Sequence, residues 1–278
     1  MTPFFSILVA TYNAETTISR LLGSLCSQKC RDFELVIQDG ASSDNTLEIL
    51  EAHKERIPAV SVVSEPDTGI YDAWNKALPR VRGEWVLFLG ADDELADGET
   101  LELCAKILSS LPESVVYVGG SVETIGNDSV PVAVMPYIPE TVNKTHWRAM
   151  PFPHQGLWHR LSLFGENRFD SDLRIVADFD FVCRTWTLES GNVALPFVVT
   201  RMRRGGVSDQ PSSVLRMRWE LAIVAARYFP DVWTASCIKG LIKGSLLWLC
   251  CLILGKRAPA ILDAGRKLRG LPSAWKGL

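Results

Sequence analysis

The stretch WVLFLGADDEL, Trp85–Leu95, ends a run of apolar residues with two adjacent carboxylates, Asp92 and Asp93. A fully buried carboxylate is costly unless it is paired, hydrogen-bonded or bound to a cation. A doublet at the tip of a buried strand is therefore either a solvated turn or a site. Three other apolar runs end in polar segments, "ATYN", "QDGASSDNT" and "SEPDTG", and Asp recurs in the last two. In open α/β sheets, ligands bind beyond the carboxyl ends of the strands, so such ends converge on one crevice. Further along, "IVADFDF" places Asp178 and Asp180 at the start of a helix-like segment. A carboxylate there can take a proton in catalysis or simply favour the positive end of the helix dipole.

The elements that must hold these groups follow from hydrophobic patterning. Phe4–Ala10, "FELVIQD", "VSVVS" and "WVLFL" are short apolar runs. Between them Ala14–Gln28, "DNTLEILEAH" and "IYDAWNKAL" have helical spacing, and "ETLELCAKIL" follows the last strand. In "IYDAWNKAL" the apolar side is Ile70, Ala73, Trp74 and Ala77. Strands alternating with helices predict an α/β domain with a mainly parallel sheet buried on both faces. After Ser110 the pattern loosens. "VVYVGGSVETIG" and "VPVAVMPYI" read as shorter, antiparallel strands, "PFPHQGLWHR" as an irregular loop, "DFDFVCRTWTL" as a helix and "NVALPFVVT" as a strand. "SSVLRMRWELAIVAARYF" reads as a strong helix. The expected domains are 1–210, divided into halves 1–111 and 112–210, and a helical extension over 211–278.

Composition narrows the partners. The 278 residues are 47% apolar and 22% charged, with net charge −3. The charge is uneven: from Arg201 onward there are 14 basic and 4 acidic residues, a formal +10 on the tail against −13 on the body. With "ASCIKGLIKGSLLWLCCLILGKRAP" in that tail, the anionic face of a membrane fits better than nucleic acid. The run Leu246–Leu254 would span only ~14 Å as a helix, too short to cross ~30 Å of hydrocarbon. It predicts a helix lying in the interface, the alternative being a buried helix of the fold. The seven cysteines show no zinc spacing and sit among apolar neighbours, as expected of reduced thiols in a cytosolic protein. "MTPFFSILVA" has no basic n-region or cleavage site, so no signal peptide is expected.

"SILVATYNAE", "IQDGASSDNT", "EPDTGIYDAWNKAL", "GEWVLFLGADD", "HQGLW", "VADFDF" and "GGVS" follow one another in an order and spacing similar to the family 2 glycosyltransferases. The likeness is close over Phe4–Leu111 and looser to Ser208. It is nearest to bacterial enzymes of exopolysaccharide and O-antigen synthesis. It implies a GT-A fold: a Rossmann-like mixed α/β sheet flanked by helices, here with the C-terminal helical extension. It also implies a nucleotide diphosphate sugar donor, UDP ahead of GDP, and a saccharide or lipid-linked saccharide acceptor. The place implied is the inner face of the cell membrane.

Site roles follow from the same resemblance. Asp92 and Asp93 stand at the family's DXD-like position, with Gly90 where an acid or Asn is common. They imply a divalent cation, Mn²⁺ or Mg²⁺, held by Asp93 with Asp92 beside it. Such ions often use one or two carboxylates plus substrate phosphates. Thr11, Tyr12, Asn13, Asp39, Gly40 and Asp72, with Asp92, would bind the nucleotide sugar. Asp44 serves equally as a helix cap, Asp67 reads as a turn residue, and Lys76 as an exposed helix lysine. Asp178 matches the second position of the family's Glu-Asp motif, Ala177 replacing the Glu, and is the implied base of an inverting transfer, with Asp180 second. His154 and Gln155 would shape the acceptor side. His154 and His159, five apart in a Pro-rich loop, make a poor metal pair. Arg201, Arg203 and Arg204 either close over the diphosphate or form a solvated or lipid-facing loop.

Two other classes compete. A nucleotide-dependent dehydrogenase would carry GxGxxG after the first strand, and none is present. A sugar nucleotidylyltransferase would open on a Gly-rich, basic phosphate loop, also missing. A non-catalytic sugar-nucleotide-binding or membrane-scaffold protein would have no use for Asp92, Asp93 and Asp178 together.

Overall fold

The structure, a computed structural model, describes residues 2–126, 130–138, 150–187, 190, 193–203, 213–229, 242, 245 and 249. The chain divides into two compact units. One is Met1–Ile125 with Pro131–Met202; the other is Gly126–Val130 with Arg203–Leu278.

In the first unit, strands β1 (Phe5–Thr11), β2 (Phe33–Asp39), β3 (Val60–Ser64) and β4 (Trp85–Gly90) alternate with helices α1 (Ile18–Cys26), α2 (Thr46–His53) and α3 (Ile70–Ala77). All four strands pair in parallel in the order β3-β2-β1-β4. The expected parallel sheet is thus present, and β1, β2 and β4 are almost wholly buried. β5 (Glu94–Leu95) and α4 (Thr100–Leu108) follow. Then come β6 (Tyr117–Ile125), β7 (Pro131–Met135), β8 (Leu157–Arg160), α5 (Ala177–Thr185) and β9 (Val193–Arg203). β8 runs antiparallel between β4 and β6, and β7 pairs antiparallel with β6.

β8 corrects the expectation of an irregular loop over "PFPHQGLWHR". Only its first part is loop-like, with a short 3-10 turn at His154–Gly156. The strand is buried along its length despite its His and Arg. Arg160 tolerates burial because it pairs with Glu84, lies 4.5 Å over the Trp85 ring and donates to the Val115 carbonyl.

Strand alternation sends side chains to two different cores. Phe5, Ile7, Val9, Leu87 and Trp158 join α1 and α4 residues in a mainly aliphatic cluster on one face. On the other, Phe88 packs against Trp74 of α3 (4.8 Å between centroids), His159 of β8 (5.2 Å) and Phe169 (5.2 Å). Phe181 of α5 stacks on Phe164 at 5.0 Å and completes this aromatic core.

In the second unit, α6 (Val214–Tyr228) is the described helix, buried at Glu220, Ala222 and Val224 with Trp219 exposed. No helix among the described residues is long and apolar enough to cross a membrane. The segment Thr234–Leu254 lies outside them except for three single positions, and Arg204 and "GGVS" lie outside entirely.

Candidate active site

Register places the strand ends level. Thr11 pairs with Asp39, and Asp39 with Ser64. The Asp39 carboxylate is buried and ties these ends together. Thr11 Oγ1 (2.8 Å) and Ser42 Oγ (2.6 Å) donate to Oδ1; Ser42 N–H (2.8 Å) and Ser64 Oγ (2.7 Å) donate to Oδ2. Burial pushes its pKa up, but these donors outweigh it and hold the group below the ordinary carboxylate range. Asp39 therefore turns inward, as does the Thr11 side chain, and organises the loops. Asn13, at φ 48°, accepts from Ser43 N–H (2.9 Å) and donates its own N–H to Ser42 Oγ (2.8 Å). Asp44 has a structural job: it takes the N–H groups of Thr46 and Glu15.

Among the exposed residues here, Tyr12 offers the largest side chain, 68% exposed. A Cβ on Gly40 would lie 3.4 Å from Tyr12 Cδ2 and 2.6 Å from Asp67 Oδ2. Tyr12, Gly40 and Asp67 thus share one shelf, and Asp67 is a candidate that its turn-like sequence concealed.

At the tip of β4, Gly90 is level with Ala10 of β1. A Cβ on Gly90 would meet Asp92 Oδ1 at 2.6 Å and Asp93 Oδ2 at 3.1 Å. Both carboxylates therefore gather close beside Gly90. Asp93 is 2% exposed, and its Oδ2 accepts from Gly90 N–H at 2.8 Å. Burial first, then the Asp92 charge, push its carboxyl well above the ordinary range. Two crowded carboxylates in that state are a fit for a divalent cation. Among the described residues no cluster of three or more His, Cys, Asp or Glu could hold a metal alone. Substrate oxygens would complete the shell.

α3 begins where Gly69, at φ 135°, lets the chain turn as few other residues can. Asp67 Oδ1 accepts from Gly69 N–H, and Asp72 Oδ2 from Thr68 N–H, each at 2.8 Å. Asp72 also pairs with Lys76, whose Nζ donates to the Pro66 carbonyl. Burial pushes the Asp72 pKa up, but Thr68 and Lys76 hold it below the ordinary range. Asp72 and Lys76 thus secure the helix entry. Ala73, Trp74 and Ala77 are buried as expected, but Ile70 is 38% exposed and Tyr71 points inward at 6%. Tyr71 Oη lies 3.1 Å from Asp178 Oδ1 and 2.8 Å from the Ile175 carbonyl. Arg174 comes to the same entry, its Nη1 3.0 Å from where a Gly69 Cβ would sit.

Asp178 is half-buried in the first turn of α5; Asp180, in the same turn, is buried. Phe179 N–H donates to Asp178 Oδ1 at 2.8 Å. Behind them His154 is buried, its ring 5.5 Å from Trp74 and 4.9 Å from His159. His154 thus lies within the aromatic core. Burial lowers its pKa, opposed by the Asp178 charge. His159 is lowered further, by burial and then by His154. Gln155 is half-buried, and its carbonyl accepts from Thr200 Oγ1. Arg201 pairs with Glu123 at 2.9 Å, a structural contact.

A family model, Glycosyl transferase family 2, matches residues 6–166. A PGL/p-HBAD biosynthesis glycosyltransferase of Mycobacterium bovis is 31% identical over 187 residues, 66% of this chain and 70% of its own. Among solved structures, the Pyrobaculum calidifontis mannosyltransferase PcManGT, in complex with GDP-mannose and Mn²⁺, aligns with a TM-score of 0.65 at 19% identity, over 99% of this chain and 82% of its own. The 1–349 fragment of Staphylococcus aureus TarS, in complex with UDP, aligns with a TM-score of 0.60 at 21% identity, over 96% of this chain and 77% of its own. The shared architecture is the GT-A fold.

Proposed function

Because the chain belongs to glycosyl transferase family 2, we propose that this glycosyltransferase moves a sugar, with inversion, from a nucleotide diphosphate sugar to a saccharide acceptor. UDP is the first choice of nucleotide and GDP the second, in keeping with the UDP bound by TarS and the GDP-mannose bound by PcManGT. The acceptor is lipid-linked, in the synthesis of a bacterial surface polysaccharide. The basic, apolar tail attaches the enzyme to the inner face of the membrane.

The observation that carries this reading is the gathering of Asp92 Oδ1 and Asp93 Oδ2 around Gly90, at the tip of a strand whose parallel neighbour β1 ends level with it. A Mn²⁺ or Mg²⁺ held there would supply positive charge against the departing diphosphate. Tyr12, Gly40 and Asp67 form the shelf for base and ribose, with Asn13 and Asp39 shaping it from behind. Asp178 Oδ2 takes the proton of the acceptor hydroxyl. The hydroxyl oxygen bonds to the anomeric carbon, and the bond from that carbon to the diphosphate oxygen breaks, its electron pair leaving with the nucleotide. The attacking and leaving oxygens lie on opposite faces of the sugar, so the anomeric configuration inverts.

Thermal unfolding with UDP or GDP, with and without Mn²⁺, tests the site. A nucleotide at 100 times its dissociation constant should add ~2.7 kcal/mol. The gain should require Mn²⁺ and vanish in Asp93→Ala, which stays folded. Metal-independent stabilisation of the wild type would refute the assignment.

A further inference from the structure

We propose that Tyr71 is a positioning residue for the base: its phenol holds Asp178 through Oδ1 and leaves Oδ2 to receive the acceptor proton. This rests on the reading of Asp178 as base. Both hydrogen bonds that Asp178 accepts land on the same oxygen, one from Tyr71 Oη at 3.1 Å and one from Phe179 N–H at 2.8 Å. Among the described residues none is made to Oδ2. A carboxylate fastened by one oxygen has lost its freedom to rotate, and the other oxygen points one way only. Orientation of that kind is a large part of what a general base contributes.

Tyr71 is suited to the task. It lies 107 positions from Asp178 in the chain, so the contact joins the nucleotide-sugar half to the acceptor half. Its ring is wedged at 5.4 Å from Trp74 and 5.7 Å from Phe169, so the hydroxyl has little room to wander. Its single proton is shared with the Ile175 carbonyl at 2.8 Å, just before α5 begins. One phenol therefore fixes both the entry to α5 and the carboxylate in its first turn.

The measurement is steady-state release of UDP or GDP by the full chain with Mn²⁺, water serving as acceptor. UDP-glucose, UDP-N-acetylglucosamine and GDP-mannose are the donors offered. Tyr71→Phe keeps the ring and removes the hydroxyl. kcat should fall roughly tenfold, the loss of about one hydrogen bond to a charged group, with donor KM within about twofold. The acid limb of the pH–rate profile should move to higher pH. A tyrosine that only packs would leave that limb in place even if kcat fell. Replacement of Tyr71 by 3-fluorotyrosine preserves the fold and strengthens the donor, so the acid limb should move the other way. That second shift decides the matter if Tyr71→Phe does not fold.

An acid limb unmoved in the folded variants overturns the proposal. Asp178→Asn separates the two readings. Lost turnover there with an unmoved Tyr71→Phe profile removes Tyr71 alone. Near-normal turnover there removes the base assignment and the Tyr71 role with it, as does failure of the wild type to hydrolyse any of the three donors.

Discussion

At the ends of β1, β2 and β3 a buried carboxylate, Asp39, takes four hydrogen bonds from Thr11, Ser42 and Ser64. In the aromatic core His154 and His159 are buried among rings, and His154 Nε2 has no hydrogen-bond partner among the described residues. The first region keeps a charge inside the protein by surrounding it with donors. The second keeps its ionisable groups inside by leaving them uncharged. The two regions should therefore fail under different conditions, and Asp178, the proposed base, lies near the second, its charge acting on His154.

The largest effect expected is on chemistry. Asp178→Asn keeps the shape but cannot take a proton at neutral pH, so turnover should fall by about 10²–10⁴ with nucleotide affinity retained. Near-normal turnover, or a retained anomeric configuration in the product, would remove Asp178 from its role.

Next comes acid sensitivity. His154 and His159 have folded pKa values below the ordinary 6.5. The unfolded chain therefore binds protons that the folded chain refuses. Stability is complete above pH 6.5 and falls as the pH drops below it, by at most ~1.4 kcal/mol per pH unit for each histidine. His159→Phe, filling the same aromatic cage, should remove about half of that slope between pH 6.5 and 5.5. Denaturant unfolding across that range measures it, and an unchanged slope would mean that the pair is not held neutral.

Asp39 has the opposite sign. Its folded pKa lies below the ordinary 3.8, so its contribution is present above pH 3.8 and lost as the pH falls through the folded value. Asp39→Asn places an NH₂ group against donors that need an acceptor, and should cost about 1–3 kcal/mol at pH 7. Its stability curve should also be flatter than that of the wild type below pH 4. If Asp39→Asn instead altered the curve near pH 6, the contrast between the two regions would be wrong. The smallest effect belongs to Ala41, which is held at φ 60°. The left-handed conformation costs a residue with a Cβ ~1–2 kcal/mol, partly offset by the greater freedom of unfolded glycine. Ala41→Gly should therefore stabilise by roughly 0.5 kcal/mol, and a loss of stability would show that Ala41 is not strained.

How far the sequence predicted this arrangement depended on whether apolar residues carried the signal. The parallel strands were legible because β1, β2 and β4 are near-continuous apolar runs buried on both faces. β8 was not, because Leu157–Arg160 hides a His and an Arg whose burial depends on partners distant in the chain. Asp39, Asp92, Asp93 and Asp178 could be picked out by residue type and place. Which way Asp39 faced could not, since a strand-end carboxylate turns inward only when donors such as Ser42 and Ser64 come to meet it. Tyr71 was hidden at the start of α3: an apolar Ile70 invites burial, yet the helix buries its tyrosine instead. The signal available was Tyr71 itself, adjacent to the face defined by Trp74.

The pairing of β8 with β4 also bears on synthesis. Glu84 and Arg160, which join the two strands, stand 76 positions apart. At roughly 5–20 residues per second, a ribosome adds that length in about 4–15 s. Through that interval the nascent chain carries Trp85–Leu87 with one edge unpaired. An open apolar edge of this kind recruits other strands and chaperones alike. A pause before Leu157, or a truncation there, should therefore yield aggregates rather than a folded nucleotide-binding half.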